Sequence, residues 1–494
     1  MKNNSTGKII SNSIIYTICG LVLKCFNFFL LPLYTSYLST SDYGITNISG
    51  TFVTTMGFIV SLSLFSAVLR FYVDLKKDSE TLKRFYGTVV LFVFLSGIIV
   101  SLFLFVFKQW VCRFVFDGID FYPIVFISII SLIFSCQQHI YENILKSQQK
   151  AWKYVVVVSI YFAVNLLSNL FFVVHMQMGA IGALLSTALA NVSYTLFFMI
   201  DMICTKSIRF CLDFSLLKDA LKYSIPIVPH DLSTRFALLI SQILIGSTKS
   251  FSALGIYSVA AQFGSIADII QVYVNNAYCP WLFEVLHSKE KGYKNMVSRI
   301  VPLLCCVIGF FFICISLFAH DYIVLFVDSS FVDAWRYIPL IVTVYSAKTA
   351  YYFYVSVILY YKEASKFLFI ATFSGSLLNI LLSYVFIPLY GAYGSIMADA
   401  ISMLVRVLII IIISKKYEDT GIRIKDFIFN FITILVFIYG GLSLSYIYFN
   451  DTFSIINLLF KFAVLAIYLG LVLVRYNELI IPYAKNLLHK TVTR

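Results

Sequence analysis

The sequence predicts an all-α polytopic membrane protein, and three observations lead to this fold class. Of the 494 residues, 60% are apolar and only 12% are charged, and the mean hydropathy is +0.90. A soluble domain usually has about 45–50% apolar and about 25% charged residues. The apolar residues also form long runs, and the basic residues concentrate in alternate gaps between those runs. This composition excludes a soluble enzyme and a disordered chain.

The apolar runs predict fourteen transmembrane helices, because a helix needs about 20 apolar residues to cross a bilayer. The first run is too long for a signal peptide and is interpreted as a retained helix. We place the spans, with approximate edges, at 9–34, 45–69, 85–107, 121–144, 154–176, 180–203, 223–247, 253–278, 300–319, 337–360, 367–389, 392–414, 427–449 and 453–475.

The distribution of basic residues predicts the orientation of these spans. With both termini in the cytoplasm, 28 of the 37 Lys and Arg residues lie on the cytoplasmic side and 4 on the opposite side. Such an excess is typical of cytoplasmic loops. The net charge of +13 is therefore explained by topology and does not indicate a nucleic-acid partner. We expect a multi-pass membrane protein with both termini in the cytoplasm.

An internal repeat relates spans 1–6 to spans 7–12, since three sequence similarities share a shift of 211 to 214 residues. The matching pairs are Ser39–Ile45 with Ser250–Ile256, Gly179–Ala183 with Gly391–Ser395, and Asn165 with Asn379. Because each copy has six spans, the two copies enter the membrane from the same side, and the repeat is parallel.

The repeat predicts the domain organisation of the chain. The predicted parts are an N-terminal lobe at 1–203, a basic cytoplasmic linker at 204–222, a C-terminal lobe at 223–414, two appended spans at 427–475 and a cytoplasmic tail at 476–494.

Five basic residues lie inside predicted spans, where a charge is costly and usually faces a cavity or a partner. They are Lys24, Arg235, Lys348, Arg406 and Lys461. Lys24 and Arg235 are related by the repeat, and each lies eleven residues after a serine at its helix start. At about 1.5 Å per residue, both lie near the middle of the membrane. We interpret them as a cationic pair in a central cavity that binds a phosphate or an acidic sugar.

Two of these residues also have a structural interpretation. Arg235 follows Asp231 by four residues on the same helix face, so the two side chains can form an ion pair. Arg406 follows Asp399 by seven residues and can pair with it in the same way. Lys24 has no acidic residue within its span.

Three further basic residues are Arg70, at the end of a span, and Lys348 and Lys461, within spans. Arg70 ends span 2 on the cytoplasmic side, where it either guards the mouth of the cavity or anchors the helix at the interface. Lys348 lies in a tyrosine-rich part of span 10, which suits either stacking against a sugar or packing between helices. Lys461 is expected to snorkel outward.

Asp268, in span 8, has polar neighbours at Gln271 and Asn275 that indicate a water-lined helix face. It either titrates in coupling to an H⁺ or Na⁺ gradient or balances the charge of Arg235. Asp231 and Asp399 are candidates for the same two roles.

No motif for ATP binding, nucleophilic catalysis or metal binding occurs in the chain. We therefore expect a protein that is not an enzyme, that binds no cofactor or metal, and that is driven by an ion gradient or by mass action.

Short motifs in order along the chain resemble the O-antigen and capsule flippases (Wzx type) of the multidrug/oligosaccharidyl-lipid/polysaccharide exporter superfamily. The resemblance covers essentially the whole chain. The motifs are Asn12–Tyr16, Pro32–Thr35 and Asp42–Gly44 in the first part, Tyr223–Pro226 and Gly255–Ala260 in the middle, and Asn379–Ile380 followed by Ile387–Gly394.

The resemblance implies a V-shaped alternating-access transporter. Its implied substrate is an undecaprenyl-diphosphate-linked oligosaccharide, moved from the cytoplasmic to the periplasmic leaflet for O-antigen, capsule or exopolysaccharide synthesis. Lys24 and Arg235 match the location of the cationic cavity of such flippases. Membrane lipid, a polysaccharide polymerase and glycosyltransferases are implied partners, and the bacterial cytoplasmic (inner) membrane is the implied location. Span 1 carries a single Lys where lipid II flippases tend to carry an Arg cluster, so lipid II fits less well.

Two alternative functions stay open. One is a cation-coupled drug or small-molecule antiporter of the same superfamily, although such proteins usually have twelve spans and an acidic first-half cavity. The other is a non-transporting membrane scaffold of a polysaccharide assembly complex, which has no need of cations in mid-membrane.

Overall fold

The computed structural model describes Phe28 and residues 30–288, 291–450 and 452–478, and this part of the chain is helical with no strand. Turns of 3-10 or π-helix adjoin several helices. The α-helices are α1 (Leu31–Tyr37), α2 (Thr40–Ser61), α3 (Leu64–Leu75), α4 (Ser79–Val106), α5 (Lys108–Val115), α6 (Phe126–Ser147), α7 (Ala151–Asn169), α8 (Gly179–Cys204), α9 (Phe214–Ser224), α10 (Val228–Thr248), α11 (Phe251–Ser288), α12 (Tyr293–Leu317), α13 (Ala319–Phe326), α14 (Ala334–Tyr360), α15 (Lys362–Ser365), α16 (Leu368–Tyr390), α17 (Ala392–Tyr417), α18 (Ile424–Phe449) and α19 (Ile455–Arg475).

Ten helices in the described residues are long and apolar enough to cross a membrane, or eleven if the bent pair α2 and α3 forms one span. The predicted spans 7 and 10 are helical as α10 and α14 but do not meet the same test of length and apolar composition. Most of the predicted first span lies outside the described residues. The predicted all-α membrane fold is thus confirmed, whereas the count of fourteen stays a prediction.

Residues related by the repeat have equivalent environments. Gly179 and Gly391, 212 positions apart, both begin a helix in the left-handed region, at φ +56° and +61°. A side chain at either position is strained, since residues other than glycine rarely adopt this conformation. A Cβ atom at Gly182 would meet the carbonyl oxygen of Phe172 at 2.9 Å, and one at Gly394 would meet that of Phe386. Equivalent close contacts are the structural counterpart of the sequence repeat.

The described chain divides into two compact units, each made of two stretches of sequence. Unit 1 contains residues up to 258 together with 372–398, and unit 2 contains 259–371 together with 399 onward. The lobes expected from the repeat have other boundaries and stay a prediction.

Two breaks in unit 1 interrupt predicted spans. Leu62 and Ser63 both have positive φ, 45° and 54°, and separate α2 from α3 with a bend of 44°. A 3-10 turn containing Pro226 separates α9 from α10. A proline lacks the amide hydrogen that a continuous helix needs, which explains this second break. The hydroxyl of Ser63 donates to the carboxylate of Asp231 at 2.9 Å and so connects the two breaks.

The basic linker packs against α4. The amide of Arg209 donates to the carbonyl of Lys83 at 3.1 Å, and a Cβ atom at Gly87 would collide with the carbonyl oxygen of Arg209. The carboxylate of Asp213 accepts from the amides of Ser215 and Leu216 and begins α9. An N-cap of this kind stabilises a helix by about 1 kcal/mol.

The core of unit 2 contains a buried ion pair. The ammonium of Lys461 in α19 lies 2.7 Å from a carboxylate oxygen of Asp321 in α13, and their side chains are 0% and 4% exposed. The expectation that Lys461 snorkels outward is therefore wrong. The reason is the buried carboxylate of Asp321, which lies just beyond the predicted end of span 9, in a segment that no predicted span covers.

Candidate functional site

Unit 1 contains a cavity of about 240 Å³ between α2, α6, α7 and α8. We call it the hydroxyl cavity, because most of its polar lining consists of hydroxyl and amide side chains. Those side chains are Thr46, Ser49, Thr54, Ser61, Ser128, Ser131, Ser135, Gln138, Tyr161, Thr187 and Asn191. The exposed surface of the cavity is nevertheless mostly apolar, as in most ligand sites, and the hydroxyl and amide groups are distributed over it. These groups favour a ligand that carries hydrogen-bonding groups of its own.

Packing between helices positions the lining residues. The amide nitrogen of Asn191 in α8 donates to the hydroxyl of Ser131 in α6 at 2.8 Å, and both side chains are buried. Cys136 of α6 packs against Gly57 of α2, with its thiol 3.8 Å from the carbonyl oxygen of Gly57. These contacts fix three walls of the cavity on rigid helices.

The side chains of Gln138 and His139 also line the hydroxyl cavity. Gln138 donates to Glu142 at 3.1 Å, and Lys146 forms an ion pair with the same carboxylate at 3.3 Å. The charge of Glu142 is therefore balanced within α6.

Arg235 in α10 lies within electrostatic range of His139. Its side chain is exposed, and within the described residues its guanidinium forms no ion pair or hydrogen bond. Asp231 accepts from Ser63 instead, so the ion pair considered between Asp231 and Arg235 is not formed. The hydroxyl of Thr55 in α2 contacts the carbonyl oxygen of Arg235 at 3.5 Å. The guanidinium is therefore available to an anion beside the hydroxyl cavity.

Arg70, another of the predicted N-terminal cations, is not part of this arrangement. Arg70 forms an ion pair with Asp74 at 2.8 Å on the exposed surface of α3, and neither residue lines the hydroxyl cavity. Lys24 lies outside the described residues, so its pairing with Arg235 in a cavity stays a prediction.

Unit 2 contains a cluster that brings together Asp268, Lys348 and two tyrosines. The ammonium of Lys348 lies 2.6 Å from the carboxylate of Asp268, and the hydroxyl of Tyr352 donates to the same oxygen at 2.9 Å. The ammonium also lies 5.3 Å from the ring centre of Tyr345 and 5.1 Å from that of Tyr352. Of the two roles predicted for Asp268, the balancing of a charge therefore involves Lys348 and not Arg235.

This cluster continues along the interface between α11 and α14. Gln271 donates to the hydroxyl of Thr349 at 2.7 Å, and Ser356 donates to Asn275 at 2.8 Å. Within the membrane, hydrogen bonds of this kind connect helices. On α17, the carboxylate of Asp399 lies within electrostatic range of the guanidinium of Arg406.

We expect Lys348→Gln to lower the free energy of unfolding by about 1 kcal/mol. The expected effect is modest because the side chains of Lys348 and Asp268 are 17% and 33% exposed, and water screens their attraction. Denaturant unfolding in detergent would measure it. The double variant with Asp268→Asn should regain most of the loss; if the two single losses simply add, the pair does not contribute to stability.

Sequence reasoning missed the hydroxyl cavity and one buried ion pair of the core. The hydroxyl cavity is formed by serines and threonines spread over separate helices, and no spacing in the sequence shows that they converge. The pair of Lys461 and Asp321 was missed because Asp321 lies at the edge of an apolar run. Within the described chain, no group of three metal-binding side chains comes together.

Comparisons with known proteins identify the family and the fold. Residues 9–286 match the family described as polysaccharide biosynthesis protein. The chain is also 24% identical over 290 residues to the Lsg locus putative protein 1 of Haemophilus influenzae, covering 57% of this chain and 68% of that protein.

Among solved structures, the chain is similar to the lipid II flippase MurJ in an inward closed conformation. The TM-score is 0.70 at 16% identity, with 94% of this chain and 100% of that chain covered. A mutant of the Vibrio cholerae MATE transporter VcmN gives a TM-score of 0.58 at 13% identity, with 85% and 100% covered. At these identities the likeness shows the fold alone.

The family match covers more than half of the chain, and the fold is that of MurJ and the MATE transporters. These findings confirm the predicted resemblance to the polysaccharide exporters. The chain belongs to the polysaccharide biosynthesis protein family.

Proposed function

We propose that this protein moves an undecaprenyl-diphosphate-linked oligosaccharide from the cytoplasmic to the periplasmic leaflet of the bacterial inner membrane. The observation that carries the proposal is the combination of the hydroxyl cavity with the unpaired guanidinium of Arg235 beside it. Sugars present many hydroxyl groups and a diphosphate presents negative charge. The two parts of such a headgroup therefore match the two parts of the site.

Membership of a polysaccharide biosynthesis family supports a lipid-linked glycan as substrate. The structural similarity to a lipid II flippase supports movement of the lipid from one leaflet to the other. In this proposal Arg235 binds the diphosphate, and the hydroxyl cavity takes the first sugars. The glycan is a repeat unit of O-antigen, capsule or exopolysaccharide. In this proposal, glycosyltransferases act before the transport step and a polymerase acts after it.

The driving force in this proposal is either an H⁺ or Na⁺ gradient or mass action of the substrate. Asp268 has a lysine and a tyrosine as direct partners, which supports a role in balancing charge. A drug antiporter of the same fold is the second candidate, since the MATE transporters share this architecture. A cavity whose polar side chains are mostly uncharged favours the glycan over a cationic drug.

Gly50→Leu tests the proposal, because the new side chain fills the hydroxyl cavity without disturbing the fold. Gly50 lines the cavity, and a Cβ atom there meets no other atom within 4 Å. Replacing a helical glycine with leucine stabilises a helix by up to about 1 kcal/mol. We expect at least about a tenfold loss of surface polysaccharide, measured by complementation of a deletion strain.

The matched control for this experiment is Gly440→Leu. Gly440 lies in α18, away from the cavity lining, and its Cβ position is equally open. This variant should export at the wild-type rate. Normal export by Gly50→Leu at normal expression would show that the hydroxyl cavity does not take the substrate.

A further inference from the structure

Unit 2 contains a second polar cavity, of about 210 Å³, where α12 and α18 begin and α19 ends. We call it the arginine cavity, because Arg299, Arg423 and Arg475 line it. It shares no residue with the hydroxyl cavity. In the predicted orientation these three helix ends lie at the cytoplasmic surface of the membrane.

Each arginine reaches the cavity from a different helix end. Arg423 precedes α18 and forms an ion pair with Asp426 at 2.8 Å. The guanidinium of Arg475, in the last turn of α19, lies 3.8 Å from the ring centre of Phe429. Arg299 in α12 is exposed, and within the described residues it forms no ion pair.

The loop before α18 is held in place, so one wall of the cavity is preformed. Lys294 forms an ion pair with Asp419 at 3.0 Å, and Tyr293 donates to Glu418 at 2.7 Å. Hydrogen bonds from Lys294 and from the amide of Gly421 lower the pKa of Asp419, which therefore stays charged. Gly421 has a φ of +81° and packs so closely that a Cβ atom would lie 2.6 Å from the carbonyl oxygen of Lys294.

The balance of charge leaves the arginine cavity suited to an anion. Two carboxylates line it, and that of Asp426 is paired with Arg423. The other belongs to Glu478, which opposes an anion and forms no ion pair within the described chain. Arg299 and Arg475 therefore have no carboxylate partner there. The first turn of α18 adds backbone amides, since Arg423 makes no side-chain cap at that end.

The surface next to the cavity indicates that its anion belongs to a lipid. The exposed apolar side chains near the arginines are Phe429 and Ile432 in α18 and Leu473 and Val474 in α19, all within about three helical turns of Arg423 or Arg475. A free phosphate makes no apolar contact with such a surface, whereas the acyl chains of a lipid pack against it. Basic pockets between helices on the cytoplasmic side are typical of binding sites for acidic lipid headgroups.

We propose that the arginine cavity binds the phosphodiester headgroup of an anionic phospholipid at the predicted cytoplasmic surface. Arg299 and Arg475 bind the phosphate oxygens, Arg423 completes the positive surface, and the acyl chains lie along α18 and α19. The proposal does not depend on the transported substrate.

The test is a titration of the purified full-length protein in detergent with phosphatidylglycerol, counting bound lipids by native mass spectrometry. Phosphatidylcholine is the neutral comparison, and inorganic phosphate is the competitor. We expect the double variant Arg299→Gln and Arg475→Gln to weaken phosphatidylglycerol binding by about fivefold for each arginine removed. Glu478→Gln should strengthen it, because the opposing carboxylate is lost. Arg209→Gln, an exposed arginine in the basic linker, is the matched control and should leave the affinity unchanged.

Three results would overturn the proposal. The first is an unchanged affinity in the double arginine variant. The second is weaker binding in Glu478→Gln, a variant that removes no group assigned to the phosphate. The third is displacement of phosphatidylglycerol by inorganic phosphate at equal concentration, which would make this a site for free phosphate.

Discussion

Arg235→Gln is expected to lower surface polysaccharide export by at least about tenfold. A charge-assisted hydrogen bond contributes roughly 1.5–3 kcal/mol, and a bidentate contact with a phosphate is stronger than a single bond. Arg235 makes no ion pair in the described part of the chain, so its removal leaves no partner unsatisfied there. Complementation of a deletion strain, normalised to the amount of protein in the membrane, would measure the loss.

Two variants separate binding of the substrate from support of the fold. Arg235→Lys keeps the positive charge but loses the planar guanidinium group that can bind a phosphate through two hydrogen bonds. We therefore expect export between that of the wild type and that of Arg235→Gln. Arg209→Gln removes an exposed arginine outside the site and should export normally. Normal export by Arg235→Gln would show that this guanidinium does not contact the substrate.

Lys461→Met is expected to destabilise the protein by about 3–5 kcal/mol, because it leaves the buried carboxylate of Asp321 without its ion-pair partner. One oxygen of Asp321 already has no hydrogen-bond partner within the described chain. Thermal unfolding of the purified protein in detergent would measure the change.

The double variant Lys461→Met with Asp321→Leu should recover most of this stability, since replacing a whole buried pair by apolar side chains is often neutral. Lys425→Met, at the exposed start of α18, is the matched control and should have little effect. A Lys461→Met protein as stable as the wild type would mean that the pair is not buried in the membrane-embedded protein.

Much of the fold could be predicted from the sequence, because each apolar run is long enough to specify a helix by itself. The internal repeat could also be predicted, because glycines stand at equivalent turns in its two copies. Gly179 and Gly391 stand at turns that require positive φ, and few other residues tolerate that conformation. The bend at Leu62 and Ser63 could not be predicted, since neither residue type favours the left-handed region.

The candidate site was predictable only in part. Arg235 was identified because a charge in an apolar run is conspicuous, and the structure leaves its guanidinium unpaired within the described residues. Which carboxylate meets which cation was not predictable: Asp268 meets Lys348, 80 residues away in sequence, and Asp231 meets Ser63. Such pairs depend on how the helices pack and on the rotation of each helix about its own axis, and the spacing of apolar residues in the sequence specifies neither.

The most direct test of the central claim is translocation by the purified protein in proteoliposomes. The substrate is a diphosphate-linked oligosaccharide placed in one leaflet, and its appearance in the other is followed by an added enzyme that modifies only accessible sugars. We expect wild-type protein and Gly440→Leu to move the substrate, and Gly50→Leu and Arg235→Gln to be slower by at least about tenfold. Equal rates for all four proteins, or no movement by the wild type, would contradict the proposed site and function.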